Sequence, residues 1–269
     1  MLITFWSNFH QTGTTSNTAA LAVMTALEYR MKVLATHNQF DRSGLETVFL
    51  ERRYVRNELM NYRDIGIDAL SGFVRYNNVD RESISTFTTT LINSKLDLLV
   101  GTTITNRELY IKELGEVMEN LIIALKNTYD LVFIDASGED ELRDKIVELS
   151  DLNVVSLTQD YNVLEHFFAR YKQLPENCVC LLSRYDKDSR LNAKTIKRRY
   201  GLKYDIPVIP YSIEFSDACM EAKLIDFLMR NLNAGKDDLN YTLMCELRKT
   251  VKLLLERLNI NTELKKLGD

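Results

Sequence analysis

The feature that most constrains the fold is an alternation of short apolar runs with longer segments of helical periodicity. The apolar runs predict strands at residues 1–6, 32–36, 96–100, 131–135, 152–157, 178–182 and 207–209. The helical patterns between them include residues 17–30, 106–126, 137–149 and 164–173. Strands that alternate with crossover helices form parallel sheets, and burial on both faces explains why these strands are apolar throughout. We therefore predict an α/β fold with a mostly parallel sheet and helices on both faces.

The organisation along the chain favours one continuous domain. The sequence has 269 residues but only three prolines and ten glycines, and it contains no segment rich in glycine, serine and proline that would serve as a linker. We predict a single domain over residues 1–269, with a last helix at about 237–258. Leucines at helical spacing in that helix indicate packing onto the core, in preference to contact with a membrane surface.

Composition narrows the classes of protein that the chain represents. The net charge of −4 argues against non-specific binding of nucleic acid by the whole surface, but it leaves room for a local basic patch. Four cysteines form no CxxC pair, and we interpret them as reduced, buried thiols. The sequence shows no signal peptide and no apolar stretch of transmembrane length, so we expect a soluble cytoplasmic protein.

A polar loop, SNFHQTGTTS at residues 7–16, follows the first predicted strand and precedes a helix. Backbone N–H groups at such a junction bind phosphate, and the helix dipole favours an anion. Gly13 permits close approach of the backbone to the phosphate, and the hydroxyl of Thr15 or Ser16 is suited to coordinate Mg²⁺. An ordinary βα loop with a serine or threonine helix cap gives the same local pattern.

The segment YDLVFIDASGE at residues 129–139 is an apolar strand that ends in a carboxylate. This is the pattern of a Walker B strand, in which Asp135 would hold Mg²⁺ directly or through water. The small residues Ala136, Ser137 and Gly138 would form a turn that responds to a γ-phosphate. The alternative interpretation is that Asp135 only caps the following helix.

The order and spacing of these segments resemble the MinD/ParA family of deviant Walker A P-loop ATPases, and most closely its TadZ/CpaE branch, which is associated with assembly of Flp-type (Tad) pili. The family loop KGGxGKT[ST] aligns with residues 9–16, and the similarity continues through LSDLNVVSLTQD, LLSRYDKDSRLNAKTIKRRYG and IPVIPYSIEFSDACMEAK. It extends from residue 1 to about residue 230 and weakens at 47–95. The resemblance implies a homodimer that binds ATP and Mg²⁺ and that contacts pilus or secretion assembly proteins.

The resemblance also implies a set of site residues. Contacts to the phosphates would come from His10, Gln11, Thr12, Gly13, Thr14, Thr15 and Ser16, although a histidine in this position is more often only a polar loop residue. Contacts to the base would come from Ser183, Arg184, Pro210 and Tyr211. Mg²⁺ would be held by Thr15 and Asp135.

Two lysines of the family loop are missing from this chain. Phe9 stands where the family has the signature lysine that reaches the partner subunit's nucleotide, and Thr14 stands where the ordinary P-loop lysine contacts the phosphates. Phosphoryl transfer depends on neutralising charge on the phosphate oxygens, so hydrolysis should be slow or absent while binding persists. An apolar Phe9 at the dimer face predicts a homodimer that depends less on ATP than relatives do.

Other family positions also differ. The resemblance places two aspartates near His37 and Gln39, the second of which positions the attacking water, and neither is present, although Asp41 lies close by. Ser183 replaces the asparagine that contacts adenine. A nucleotide-free structural adaptor is therefore one alternative function.

A DNA-partitioning ATPase is the other alternative function. It would use a basic cluster at Lys187, Arg190, Lys194, Lys197, Arg198 and Arg199. Acidic residues interrupt this cluster, and most of it falls on a predicted amphipathic helix. We therefore interpret it as a solvated helix face in preference to a DNA-binding surface.

Overall fold

The computed structural model describes residues 1–40, 44–51, 65–77, 81–136, 140–171 and 175–267. In this part of the chain, eight strands form one sheet in the order β3-β4-β2-β5-β1-β6-β7-β8. The strands are β1 Leu2–Trp6, β2 Val33–His37, β3 Thr89–Ile92, β4 Leu96–Leu98, β5 Leu131–Asp135, β6 Leu152–Leu157, β7 Cys178–Tyr185 and β8 Val208–Pro210. Every pairing except that of β3 with β4 is parallel.

Helices cover both faces of the sheet. In chain order they are α1 Thr14–Glu28, α2 Glu46–Phe49, α3 Gly66–Tyr76, α4 Arg81–Ser85, α5 Arg107–Thr128, α6 Glu141–Leu149, α7 Tyr161–Arg170, α8 Ala193–Tyr200, α9 Ile213–Met220, α10 Leu224–Asn231, α11 Tyr241–Arg257 and α12 Thr262–Lys265. Helices α1, α2 and α9 to α11 contribute to the core on one face. Helices α3 to α8 contribute to the core on the other face.

The central strand β1 shows why the sequence forms this architecture. Ile3 and Phe5 point into one core and Leu2 and Trp6 into the other, so the strand is apolar on both sides. Strand β1 pairs with β5 on one side and with β6 on the other. The predicted fold class, a mostly parallel sheet with helices on both faces, is confirmed.

The sequence analysis did not anticipate strand β3. Thr89–Ile92 runs antiparallel to β4 at the edge of the sheet, and the turn between them contains Ser94 with φ of 60°. A hairpin needs only a short turn and no crossover helix, so the periodicity that revealed the parallel strands is absent here.

Helix boundaries differ from the predicted ones where a cap residue sets the start. Helix α1 begins at Thr14, directly after Gly13, and not at residue 17. Helix α7 begins at Tyr161 because the Asp160 side chain accepts hydrogen bonds from the first-turn amides. The predicted helix at 137–149 corresponds to α6, which Asp140 caps, and residues 137–139 lie outside the described residues. The end of the other predicted helix, at 164–173, also lies outside them, because the described residues stop at 171 and resume at 175.

The last long helix is a core element. Leu243, Leu247, Val251 and Leu255 of α11 are buried against α1 and β8, as the leucine spacing predicted. The helix begins at Tyr241, later than the predicted residue 237. None of the helices in the described ranges is long and apolar enough to cross a membrane.

Candidate nucleotide-binding site

The predicted site residues come from the carboxyl edge of the sheet. The loop at residues 7–13 follows β1, Asp135 ends β5, and β2 lies beside β5 with His37 in register with Asp135. Ligands of parallel α/β sheets bind at this edge because the loops and helix N-termini converge there. The base-side residues Ser183 and Arg184 lie at the end of β7, and Pro210 ends β8.

The N-terminus of α1 is open. Gly13 precedes it with φ of 79°, and no side chain of the described residues caps its first turn. Helices α5 to α9 are capped by side chains of Asn106, Asp140, Asp160, Asn192 and Ser212, whereas α2, α3, α10 and α11 also begin without a side-chain cap from the described residues, so it is the position of α1 at the carboxyl edge that singles it out. Uncapped first-turn amides are donors without helical partners, and together with the helix dipole they suit an anion. Gly13 provides the left-handed backbone that brings the loop to this position.

The loop side chains differ in how they are held. Thr12 is buried, and its Oγ1 lies 3.1 Å from Oγ1 of Thr14. His10 and Gln11 are exposed, and Gln11 has φ of 60°. Ser16, in the first turn of α1, interacts with the thiol of Cys219 on α9 and opposes the rise in the pKa of that thiol caused by burial. Thr14, at the position where the resemblance places the ordinary P-loop lysine, thus contacts a hydroxyl of its own loop.

Thr15, Gln39 and Asp135 form a hydrogen-bonded triangle. Thr15 Oγ1 donates to Asp135 Oδ2 at 2.5 Å. Gln39 Nε2 donates to the same Oδ2 at 2.7 Å and to Thr15 Oγ1 at 3.3 Å. The two predicted metal ligands therefore do lie together, and an amide that the sequence analysis did not assign to the site contacts both.

Asp135 is fully buried. Burial raises the pKa of this carboxyl to about 6, although the hydrogen bonds from Thr15 and Gln39 oppose the shift. Its second oxygen, Oδ1, has no hydrogen-bond partner among the described residues. A buried carboxylate with an unpartnered oxygen is a costly arrangement, and such groups are typical of functional sites.

A buried pair lies behind this triangle. His37 Nε2 and Glu46 Oε1 are 2.6 Å apart, and Gly101 N–H donates to the same oxygen at 2.7 Å. Burial works against ionisation of Glu46, but its interactions with His37 and Gly101 outweigh burial and lower the pKa of the carboxyl. His37 Nδ1 accepts the backbone N–H of Gln39 at 3.0 Å, so this network also fixes the backbone of Gln39.

From the sequence, His37 and Gln39 were identified only as residues near which the resemblance places two aspartates that this chain lacks. One signal was present in the sequence: both residues end or follow a predicted strand, and parallel strands share a carboxyl edge. What the sequence did not contain was the neighbour relation of β2 and β5, because no local pattern states which strands pair.

The base-side residues occupy two environments. Ser183 is buried beneath the loop, where its Oγ accepts a hydrogen bond from Asn17 Nδ2 at 2.6 Å. Arg184 and Tyr211 are exposed, and the Tyr211 N–H donates to the Tyr185 carbonyl at 3.0 Å. This bond holds the segment after β8 against the end of β7. Arg184 and Tyr211 are accessible to a ligand, whereas Ser183 supports the loop from behind.

Phe9 is partly covered by its own chain. Its ring meets the His166 ring of α7 edge to face with centroids 5.2 Å apart, and 37% of the residue remains exposed. Asn8 Nδ2 lies 2.9 Å from His166 Nδ1, so α7 anchors the first half of the loop. Asp41, Ser137 and Gly138, which the sequence analysis also considered, lie outside the described residues.

Part of the predicted basic cluster is engaged in ion pairs on α8. Lys197 Nζ lies 2.8 Å from Asp205, and Arg199 lies 2.7 Å from Glu165. Arg199 also lies over the rings of Tyr161 and Tyr200. These contacts agree with a solvated helix face and contribute little net stability because both pairs are exposed.

The fold is similar to that of solved ParA-family and MinD proteins. A ParA family ATPase from Chlorobium tepidum TLS matches with a TM-score of 0.69 and 17% identity, over 96% of this chain and 99% of that chain. MinD from Pyrococcus horikoshii, complexed with Mg-ADP, matches with a TM-score of 0.63 and 18% identity, over 95% of this chain and 98% of that chain.

A third similar structure is a putative plasmid partition protein from Borrelia burgdorferi bound to AMPPNP. It matches with a TM-score of 0.63 and 16% identity, over 95% of this chain and 98% of that chain. At such identities the likeness establishes the fold. No protein-family model matches the sequence, and comparison with curated proteins gives no match.

Proposed function

We propose that this chain binds a nucleoside triphosphate, ATP in the first instance, and acts as a positioning or assembly factor with slow or absent hydrolysis. The observation that carries the proposal is the uncapped N-terminus of α1 beside a fully buried carboxylate, Asp135. Solved structures of the same fold contain Mg-ADP and AMPPNP. The loop that follows β1 is where phosphates bind in P-loop proteins.

Residues of this chain are suited to hold the phosphates and a metal ion. The backbone after Gly13 and the first turn of α1 would bind the phosphate oxygens. Thr15 and Asp135 present a hydroxyl and a carboxylate, which are ligands that Mg²⁺ prefers, and the unpartnered Oδ1 of Asp135 fits a bound cation or its water. When bound, Mg²⁺ neutralises charge on the phosphate oxygens.

Slow hydrolysis follows from what the loop lacks. Thr14 offers a neutral hydroxyl 3.1 Å from that of Thr12, where other P-loops place a lysine. Gln39 offers an amide where the resemblance places a carboxylate that positions water. Charge on the transferred phosphoryl group develops during the reaction. The absence of charged groups from the loop therefore lowers the rate of hydrolysis more than it lowers the affinity for the nucleotide.

The finer assignment follows from the resemblance to the TadZ/CpaE branch. On this proposal, residues 1–269 form one nucleotide-binding domain of a cytoplasmic homodimer that contacts pilus or secretion assembly proteins. Phe9 and the loop would face the second subunit. The exposed fraction of Phe9 supports this orientation, because an apolar side chain at an interface contributes buried area.

A nucleotide-free adaptor is the second candidate, and one observation favours it. Gln39 already donates to Thr15 Oγ1 and Asp135 Oδ2, so these two oxygens are hydrogen-bonded without a ligand. An adaptor of this kind would keep the fold and its interaction surfaces and would have no affinity for nucleotide.

Thr14→Lys provides the test between these two functions. Binding of ATP is measured by calorimetry for the wild-type chain, for Thr14→Lys and for the uncharged control Thr14→Met. Because a hydrogen bond to a charged group is worth about 1.5–3 kcal/mol, the lysine should tighten binding by roughly tenfold or more, and the methionine should not. Phosphate release by the wild-type chain should stay far below about 1 s⁻¹.

The adaptor function predicts the opposite pattern. If neither the wild-type chain nor Thr14→Lys binds ATP, ADP or a non-hydrolysable analogue at millimolar concentration, the nucleotide-binding proposal is wrong. Turnover at about 1 s⁻¹ or faster would refute slow hydrolysis and leave nucleotide binding in place.

A further inference from the structure

The amide nitrogen of Gln39 contacts one oxygen of each of the two residues that the proposed function assigns to a metal ion, Thr15 and Asp135. Its distances are 2.7 Å to Asp135 Oδ2 and 3.3 Å to Thr15 Oγ1, and the two oxygens are 2.5 Å apart. A carboxamide –NH₂ group has two N–H donors and no acceptor. It therefore presents positive hydrogens to two oxygens at once, as a small cation does.

The position of Gln39 is fixed from several directions. Its backbone N–H donates to His37 Nδ1 at 3.0 Å. The preceding carbonyl, of Asn38, accepts from the Tyr110 hydroxyl at 3.2 Å, and the following ring, of Phe40, packs on Tyr110 with centroids 5.6 Å apart. These contacts hold the backbone on both sides of Gln39, so the approach of its side chain to Asp135 is built into the fold.

The backbone opposite the side chain also leaves room for it. A β-carbon placed on Gly44 would lie 2.9 Å from Gln39 Oε1, which is closer than a real β-carbon approaches a neighbour. A larger residue at position 44 would therefore require the flexible end of the Gln39 side chain to shift.

We propose that the Gln39 carboxamide occupies the cation position of this site and competes with Mg²⁺ for Thr15 and Asp135. Competition between Gln39 and Mg²⁺ concerns this chain alone, whereas its consequence for nucleotide binding rests on the proposed function. With Gln39 in place, both oxygens are satisfied without a metal. Asp135 Oδ1 stays unpartnered among the described residues, but Mg²⁺ reaches Thr15 Oγ1 and Asp135 Oδ2 only when the Gln39 side chain swings away, and metal affinity is lowered by the hydrogen bonds that must break.

A metal-free phosphate site is the functional consequence. Magnesium usually binds through one or two carboxylates plus substrate phosphates, so a weak protein contribution leaves the nucleotide to bind largely without it. The backbone donors at α1 do not depend on the metal. Nucleotide affinity of the wild-type chain should therefore change little between millimolar Mg²⁺ and excess chelator.

Gln39→Met tests the competition, because methionine has a similar length but no N–H donors. Mn²⁺ is the probe, and its binding to the protein without nucleotide is followed by the loss of the free-ion electron paramagnetic resonance signal. Gln39→Met should bind Mn²⁺ about tenfold more tightly than the wild-type chain, since removal of hydrogen bonds to a charged group releases its oxygens. Asn120→Met, on the exposed side of α5, is the control and should match the wild type.

The second measurement is the ratio of ATP affinities with millimolar Mg²⁺ and with chelator. This ratio should stay within about threefold for the wild type and increase by about tenfold in Gln39→Met. Far-ultraviolet circular dichroism tests whether each variant is folded. If Gln39→Met does not fold, Gln39→Ala takes its place.

Two results overturn the competition. One is equal or weaker Mn²⁺ binding by the folded Gln39 variant than by the wild type, including binding by neither. The other is ATP binding by the wild type that needs Mg²⁺ as strongly as the variant does. A failure of both proteins to bind ATP refutes the proposed function instead, and the Mn²⁺ comparison still decides the role of Gln39.

Discussion

At the scale of single residues, Asp135 shows how the fold sets the chemistry of the site. It ends a strand that is buried over its whole length, so its carboxylate is withdrawn from water. Burial raises its pKa to about 6 because the charged form loses hydration, and only Oδ2 is hydrogen-bonded among the described residues. The carboxylate is therefore destabilised despite the hydrogen bonds from Thr15 and Gln39, and its Oδ1 remains without a partner among the described residues.

Asp135→Asn should change stability in a way that depends on pH. The native pKa of about 6 exceeds the ordinary value of 3.8, so the native state binds the proton more tightly than the unfolded state. The cost of the buried charge is fully present above pH 6 and is lost as the pH falls toward 3.8. Asparagine removes that cost, so its stability relative to wild type should be higher at pH 8 than near pH 4, by on the order of 3 kcal/mol.

The measurement is urea unfolding of both proteins at the two pH values. Asp188→Asn, at an exposed position, is the matched control for loss of one carboxylate. A difference between wild type and Asp135→Asn that is the same at both pH values would show that the charge of Asp135 carries no burial cost.

At the scale of elements, α11 decides how α1 is held. Its apolar side packs against α1 and β8, and Leu247 and Leu255 have no exposed surface. Because the loop at residues 7–13 leads directly into α1, the position of the loop depends on this packing. Helix α11 therefore holds α1 in place, although it is far from the loop along the chain and contributes no side chain to the site.

Leu247→Ala should lower the free energy of unfolding by about 2–5 kcal/mol, because it leaves a cavity in a fully buried layer. Lys252→Ala changes the exposed side of the same helix and should alter stability by no more than about 0.5 kcal/mol. Urea unfolding of the two variants provides the comparison. Similar small effects for both would mean that α11 is not packed as the structure describes.

At the scale of the whole molecule, the sheet runs from Leu2 to Pro210 and the C-terminal helix packs back onto it. This continuity supports the proposal that residues 1–269 form one domain. The loop at the carboxyl edge of the sheet lies at the surface, where Phe9 is partly exposed. The proposed homodimer would bring two such edges together.

Phe9→Ala should weaken the proposed homodimer by roughly tenfold or more, since a partly exposed aromatic ring at an interface contributes more than its neighbours. Light scattering with and without ATP measures the association, and the wild type should dimerise in both conditions. Tyr76→Ala, which removes an aromatic ring that is 80% exposed on α3, is the control. A wild type that stays monomeric at tens of micromolar, where weak dimers form, would exclude the dimer.

The sequence by itself determined the fold class and the place of the loop. Strand and helix periodicities are local, so residues 131–135 and 152–157 were predicted with the bounds that β5 and β6 have in the structure. The loop between β1 and α1 was likewise visible as a polar segment with one glycine. Helix α1 was placed three residues too late, because the left-handed Gly13 and not a capping side chain marks its start.

Only the tertiary structure decided which residues meet at the site. Gln39 and Asp135 are 96 positions apart, and they touch because β2 pairs with β5 in register. Ser183 is 166 positions from Asn17, and the two residues touch because the order of the strands in the sheet places the end of β7 beneath the loop. Strand pairing is set by how helices and side chains fill both cores, and this packing is non-local. A periodic pattern in one segment therefore states that a strand exists but not which strand lies beside it.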